Sequence, residues 1–249
     1  MNSIFDRVLE IAKEYGKNMA VIDYVIGTGM TAVRLSSGNV GVAHLLREEL
    51  PPGCTLFDEL FETPCPLYEF LKLGNVHHPI TVSLALAAAN AVLNNRLKEQ
   101  DYSELDIFEI LNLKRSDTVG FIGDFKPLTS KLRGKVEKLM IFERHASEDY
   151  LPDWAAPWKL RECSAVIITG TAFMNRTIDT ILNSVNTYRV VVFGPSTPLV
   201  PEVYPEVVKA IGGAKIMDPE LTMKVASRAG GTKNLYRLKA AKKVTLILK

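Results

Sequence analysis

The chain has 249 residues, 47% apolar and 23% charged, which is enough for one large domain or two modest ones with a real core. Thirty lysines and arginines against 28 acidic residues leave a formal charge of +2, so neither nucleic acid nor a membrane is expected as a partner.

Asp6, Arg7 and Glu10 interrupt any apolar leader, so no secretory signal is expected and the cytoplasm is the expected location. Ser3 to Tyr15 places Ile4, Val8, Ile11 and Ala12 on one helical face. Ser3 serves as N-cap, Asp6 takes the capping-box position, and Gly16 is the stop signal. Ala20 to Ile26, Thr31 to Leu35 and Val40 to Ala43 read as strands. Ser36-Ser37-Gly38-Asn39 joins the last two as a hairpin turn. Residues 51–66 hold four prolines and read as a loop with one helical turn. Pro79 opens a long helix to about Lys98. Its most apolar stretch, Ile80 to Leu93, is shorter than the ~20 residues a bilayer span needs, so a buried helix is expected.

Beyond residue 115 short apolar strands alternate with helical segments. The strands are Thr118 to Ile122, Val136 to Phe142, Ala165 to Thr169, Val190 to Phe193 and Ala214 to Met217. Runs such as Val-Ile-Ile-Thr and Val-Val-Val-Phe suit parallel strands buried on both faces. The spacers can hold crossover helices, and Lys243 to Leu248 adds a last, antiparallel strand. The expected fold class is α/β, with a Rossmann-like parallel-sheet domain over residues 116–249 after a smaller α+β domain over residues 1–115.

Ligands of open α/β sheets bind beyond the carboxyl ends of the strands. The candidates there are Gly123-Asp124, Glu143-Arg144, Thr169-Gly170-Thr171 with Asn175, and Gly194-Pro195-Ser196-Thr197. Backbone N–H groups beside glycine, together with hydroxyls, suit a polar or anionic ligand. Glu143 follows Gly123 by 20 residues, the spacing of the ribose-binding acid in nucleotide-binding Rossmann domains. An ordinary ion pair with Arg144 is the plainer alternative. Gly120-Phe121-Ile122-Gly123 is not GxGxxG, so no dinucleotide is expected and the cofactor stays open. The Gly194–Pro198 turn is expected where the strand order reverses, with Thr169-Gly170-Thr171 one exit away. Asn175 reads mainly as a support for that loop.

In the first half, Ser83, Ala87, Asn90 and Asn94 form one stripe on the long helix. Buried polar groups need partners, at roughly 1–3 kcal/mol each. They either bond neighbouring backbone or line a polar cleft against the second domain, and the cleft is the preferred reading. Gly27-Thr28-Gly29-Met30-Thr31 is a glycine-rich hairpin link that could also close over the crevice, with Thr28 and Thr31 touching ligand. His77-His78 precede Pro79. Neighbouring side chains diverge, so a proton-transfer role for one of them fits better than joint metal ligation. Three cysteines with no Cys-x-x-Cys, and His44 apart from them, give no ligand spacing, so no metal site is assigned. There is no GxSxG elbow and no P-loop.

Thr169-Gly170-Thr171-Ala172-Phe173-Met174-Asn175-Arg176-Thr177-Ile178-Asp179 and Gly194-Pro195-Ser196-Thr197-Pro198-Leu199 resemble the putative heavy-metal chelation family. Ser83 to Ala91 and Gly27 to Thr31 look like that family's N-terminal part. The resemblance spans nearly the whole chain. It implies an enolase-N-terminal-like domain followed by a Rossmann-like domain, with a site between them. It also implies chelation, or condensation or hydrolysis of a pterin-, flavin- or siderophore-like molecule. A soft metal held directly would ask for clustered Cys and His. A small organic chelator is therefore the better reading. The expected roles are Glu143 as hydroxyl ligand or base and His77 or His78 as proton carrier. Thr171, Ser196 and Thr197 would orient the substrate, and Asn90 would hold an amide edge. A non-catalytic binder of a metal–chelate complex and an S-adenosylmethionine-dependent transferase are the alternatives. A homodimer is the default assembly.

Overall fold

The computed structural model describes residues 3–53, 55–57, 60–103, 105–145 and 147–248. The first helix, α1 (Ile4–Tyr15), starts on the expected capping box. Ser3 Oγ accepts from Asp6 N at 3.1 Å, and Asp6 Oδ2 accepts from Ser3 N at 3.2 Å. Strands β1 (Ala20–Ile26), β2 (Thr31–Leu35), β3 (Val40–Ala43) and β4 (Cys65–Pro66) form an antiparallel sheet in the order β3-β2-β1-β4. After α2 (Leu67–Leu71), α3 (Pro79–Leu93) crosses this sheet with every residue from Ile80 on buried. A helix apolar all round has no face to give to water and must be enclosed. Gly41 of β3 lets the helix backbone come close, since a Cβ there would lie 2.2 Å from Ala87 O and from Ala91 N. The helix stops at Leu93 rather than near Lys98. Asn95 Nδ2 turns back onto the Ala91 carbonyl at 2.9 Å, and Asn94 reaches across to the second half of the chain.

The second half contains α4 (Ile107–Ile110), β5 (Thr118–Ile122), α5 (Lys126–Leu132), β6 (Lys138–Glu143), β7 (Leu151–Pro152), α6 (Ala156–Lys159) and β8 (Ala165–Thr169). It continues with α7 (Thr171–Met174), α8 (Ile178–Leu182), β9 (Val190–Phe193), β10 (Val208–Ile216), α9 (Pro219–Ser227), α10 (Thr232–Arg237) and β11 (Ala241–Ile247). The sheet order is β11-β10-β9-β8-β5-β6-β7, parallel except for the β10–β11 pair. The α/β reading holds: a large Rossmann-like sheet follows a smaller α+β unit. Strand β10 begins at Val208, well before the expected Ala214. Gly212 and Gly213 lie inside it, where Leu199 and the Thr197 carbonyl come within 3.0 and 3.1 Å of a Cβ on Gly213. Glycine in a strand marks such a close approach as often as a break.

The chain winds from β5 through β6 to β7 on one side and from β8 through β9 to β10 on the other. The strand order therefore reverses between β5 and β8. This corrects the expectation that put the switch at Gly194–Pro198.

The two halves share a core. Leu84, Leu86 and Ala88 of α3 belong to the same cluster as Phe142, Val166, Ile168 and Val192 of the large sheet. Each buried Leu, Ile, Val or Phe among them contributes about 1.5–3 kcal/mol. The opposite sheet face carries Phe121, Ile141, Ile167 and Val191 under Leu111 and Leu132. Among the described residues no helix is long and apolar enough to cross a membrane.

Candidate functional site

The crevice at the β5–β8 switch is built from glycine and threonine. Gly123 has φ +79°, and a Cβ there would stand 2.6 Å from Thr169 Oγ1. Thr169 Oγ1 lies 2.5 Å from Thr171 Oγ1. Gly170 donates its N–H to the Phe193 carbonyl at 2.8 Å, and a Cβ on it would reach within 2.7 Å of Thr197 Oγ1. The Gly194–Pro198 turn thus folds back onto the β8 exit. Thr197 is fully buried with its Oγ1 unpartnered, and the buried Asn90 Oδ1 is also unpartnered.

One wall is acidic and already engaged. Glu143 Oε2 accepts from Asp124 N at 2.9 Å and Oε1 from Arg144 N at 2.9 Å. Asp124 accepts from Thr129 Oγ1 at 2.7 Å and from the Tyr150 hydroxyl at 2.5 Å. Glu143 therefore shapes the β5 exit loop through its backbone. Arg144 pairs with Glu49, and with Asp153 at 3.6 Å.

The segment from His44 to Leu50 roofs this end of the sheet. At one end His44 donates its backbone N–H to Ser196 Oγ at 2.8 Å, and at the other Glu49 pairs with Arg144. From β9 to β6 is three strand spacings, about 14 Å. Arg47–Glu49 coil into a 3-10 turn between the two anchors, so the Glu49 and Arg144 side chains supply part of the span from the β9 side to the β6 exit. Burial pulls the His44 pKa below the ordinary histidine value; Glu48 opposes that shift, Arg47 adds to it, and the Gly29 backbone, which lies beside the imidazole, favours its protonated form. Sequence reasoning passed over His44 as a site residue because strand-exit logic was applied only to the large sheet. It is the first residue after β3.

Asn90 and Asn94 of the α3 stripe face the second half, as a seal and not as the wall of an open cleft, while Ser83 stays within the first. Ser83 donates to the His44 carbonyl at 2.9 Å and lies 2.5 Å from the Thr31 hydroxyl. Asn90 Nδ2 donates to the Val42 and Ser196 carbonyls at 3.0 and 3.3 Å. Asn94 accepts from Leu199 N at 2.8 Å and donates to the Thr197 and Ala214 carbonyls at 3.3 and 3.4 Å. Both amides are at most 3% exposed. The Gly27–Thr31 hairpin packs against the end of α9 and the turn after it, where a Cβ on Gly27 would lie 2.3 Å from Ala226 O and one on Gly29 3.2 Å from Gly230 O. Thr28 is exposed. His78 caps α3, its Nδ1 accepting from Ile80 N at 3.2 Å, and its ring lies 4.8 Å from that of Phe57. His77 is exposed. Asn175 accepts locally from the Thr177 hydroxyl at 2.6 Å.

The neighbouring motif residues join the halves. Arg176, at φ +59°, bonds Asp6 at 2.7 Å and the Gly74 carbonyl at 2.9 Å, and lies over the Phe5 ring. Asp179 accepts from Ile4 N at 3.0 Å, at the start of α1. A separate cavity of about 730 Å³ opens at the opposite, amino end of the sheet, lined by Phe108, Leu113, Arg115, Lys131 and Lys135 among others. The crevice is the better candidate, because it lies at the switch and the cavity lies behind it.

Two sequence profiles, both described as putative heavy-metal chelation, match residues 106–245 and 9–93. The chain belongs to the putative heavy-metal chelation family. It is similar to the uncharacterized protein MJ0500 of Methanocaldococcus jannaschii, with 28% identity over 91% of this chain and 92% of that one. Its fold is similar to that of a DUF364-family protein of unknown function from Pyrococcus horikoshii, at TM-score 0.83 and 22% identity, covering 98% of this chain and 100% of that one. A second DUF364-family protein of unknown function, from Desulfitobacterium hafniense, matches at TM-score 0.76 and 22% identity, over 97% and 99% of the two chains.

The family description names a heavy metal, and the residues here do not suit one bound directly. Among the described residues no three His, Cys, Asp or Glu side chains gather as ligands. Burial, with Glu162 adding to it, pushes the Cys163 thiol up to about 12, and burial also raises Cys65. A thiol held that high is a poor ligand, because the thiolate is the binding form. Cys54 lies outside the described residues.

Proposed function

We propose that this member of the heavy-metal chelation family binds a small polar organic molecule in the crevice at the β5–β8 switch, and that any metal enters as a chelate. The observation that carries this is the two-ended anchoring of residues 44–50 over glycine- and hydroxyl-bearing strand exits. Thr169 and Thr171 are the proposed ligand contacts, while Gly170 and Gly194, whose N–H groups are spent on the Phe193 and Gly212 carbonyls, keep the exits free of side chains. Ser196, Thr197 and Asn90 stand behind them, and Glu143 and Asp124 hold the β5 loop in shape. Oxygen-rich, hydroxyl-lined exits suit a polar ligand better than a bare soft cation.

Catalysis is the second reading, and His44 is the observation that favours it. A half-buried imidazole with its pKa below the ordinary value, on the residue whose N–H anchors the roof to Ser196, can accept a proton from a substrate that reaches it, as condensation or hydrolysis chemistry requires.

Thermal melting against pterin-6-carboxylate, riboflavin, S-adenosylmethionine and nickel–citrate separates these classes. A true ligand at ~100 times its Kd adds about 2.7 kcal/mol. The proposal expects a shift from one organic compound or chelate, lost in Thr171→Val and in Gly170→Ala. A shift from free nickel or zinc alone, or one unaffected by both substitutions, contradicts it.

A further inference from the structure

A lysine from the edge strand β11 stands on the same sheet face as Thr169. Thr169 of β8 pairs with Phe193 of β9, Phe193 with Gly212 of β10, and Gly212 with Thr245 of β11. Paired residues of neighbouring strands share a face. Phe193, with Ile167 two residues before Thr169, belongs to the cluster on the face away from α3. Lys243 lies two residues from Thr245 and so keeps to that face. Its partner Ala214 lies two residues beyond Gly212, toward the carboxyl end of β10. Lys243 therefore stands past the level of Thr169, at the end of the sheet where the crevice opens.

The Lys243 ammonium is placed by two rings. Nζ lies 5.1 Å from the ring centre of Tyr236 in α10 and 6.0 Å from that of Phe125. Phe125 follows Gly123 by two residues in the β5 exit loop, and its ring centre lies 5.6 Å from that of Phe193. Because β8 runs between β5 and β9, these two rings bridge the Thr169 exit on this face. Gly212 adds no side chain to come between them and the lysine. Rings attract an ammonium but leave its N–H donors free for an acceptor. Among the described residues Lys243 is exposed, with no ion pair and no hydrogen bond from Nζ. Arg144, at the β6 exit, is by contrast spent on Glu49 and Asp153. Residues 221–249 carry eight lysines and arginines and no acidic residue, in a chain whose formal charge is +2. That imbalance gives the β11 side of the molecule a positive field, which draws anions.

We infer that Lys243 is the anion-binding residue of the crevice: a ligand bonded to Thr169 and Thr171 carries a carboxylate or phosphate group that lies toward β11 and takes the Lys243 ammonium. This rests on the crevice reading above and adds the charge of the ligand and its direction.

Probes paired so that they differ in charge test this by calorimetry. Flavin mononucleotide against riboflavin tests phosphate, pterin-6-carboxylate against hydroxymethylpterin tests carboxylate, and nickel–citrate against nickel–ethylenediamine tests an anionic chelate. At least one anionic probe should bind about tenfold or more tightly than its partner. Lys243→Gln should remove that preference and leave the partner's affinity unchanged, and Lys243→Arg should keep the preference. Lys242→Gln, the same loss of charge on the other face of β11, should keep it too. A partner bound as tightly as the anionic probe overturns the inference and leaves the crevice reading standing. So does a preference that survives Lys243→Gln. A loss in Lys243→Gln shared equally by both members of a pair also overturns it, since that marks the lysine as a strut between α10 and the β5 loop. A preference indifferent to Thr171→Val makes Lys243 a surface site apart from the crevice and overturns it as well. Failure of every probe overturns both readings.

Discussion

Thr197 is fully buried, its hydroxyl has no partner, and it packs against Gly170. An unsatisfied buried hydroxyl costs about 1 kcal/mol or more. Thr197→Val should therefore raise the melting temperature by about 2–4 °C. If the hydroxyl is held for the ligand, the same variant binds it more weakly, and melting with and without ligand reads both effects. His44 gives a second residue-scale expectation. Its folded pKa lies below the ordinary ~6.5, chiefly through burial. Above that value both folded and unfolded forms are neutral and stability is complete. As the pH falls below it the unfolded chain protonates first, and stability declines until the folded value is reached. An NMR titration should place the His44 midpoint below the free-histidine value. The sequence showed the hydroxyls and glycines of the strand exits, because strand ends are legible from β-branched runs. It did not show that the Glu143 and Asp124 carboxylates are spent on their own loops, since those partners are backbone N–H groups and a tyrosine from a neighbouring loop.

At the scale of elements, α3 was legible as a buried helix, and its polar stripe was legible as meaningful. Its use was not. Whether an asparagine meets a ligand or a carbonyl depends on which loop is folded against it, and that is a tertiary fact. Asn94 satisfies three backbone groups from two elements, β10 and the 197–199 loop. Asn94→Ala leaves them buried without partners and should cost about 2–4 kcal/mol, measurable by denaturant unfolding. The amino end of the sheet has its own fastener. Arg189 meets Asp117 through two 2.8 Å bonds and also holds the carbonyls of Leu111 and Asn112. The guanidinium, helped by Lys114 N and Ser164, keeps the Asp117 carboxyl far below its usual range. That stabilisation is complete above the unfolded value of about 3.9 and is lost as pH falls through the folded one. Asp117→Asn should thus unfold about 2–3 kcal/mol more easily at pH 7, with the gap to the wild-type protein closing as the pH drops below about 4.

For the whole molecule, the Asn175–Asp179 stretch that carries part of the family resemblance works as a clamp between halves, through Arg176 and Asp179 on α1. A motif can thus mark how two halves are held as readily as where a ligand sits. The parallel sheet, its antiparallel edge strand and the order of elements were readable from periodicity. The position of the switch was not, because strand order is set by which crossovers pass on which side. The central claim is that the ligand sits at the carboxyl end of that sheet, under residues 44–50. Hydrogen exchange on the protein saturated with whichever compound raises its melting temperature tests this most directly. The account predicts new protection at Gly123, Thr169–Thr171, Gly194–Thr197 and His44–Glu49. Protection confined to the amino end, around Phe108, Arg115 and Lys135, would contradict it.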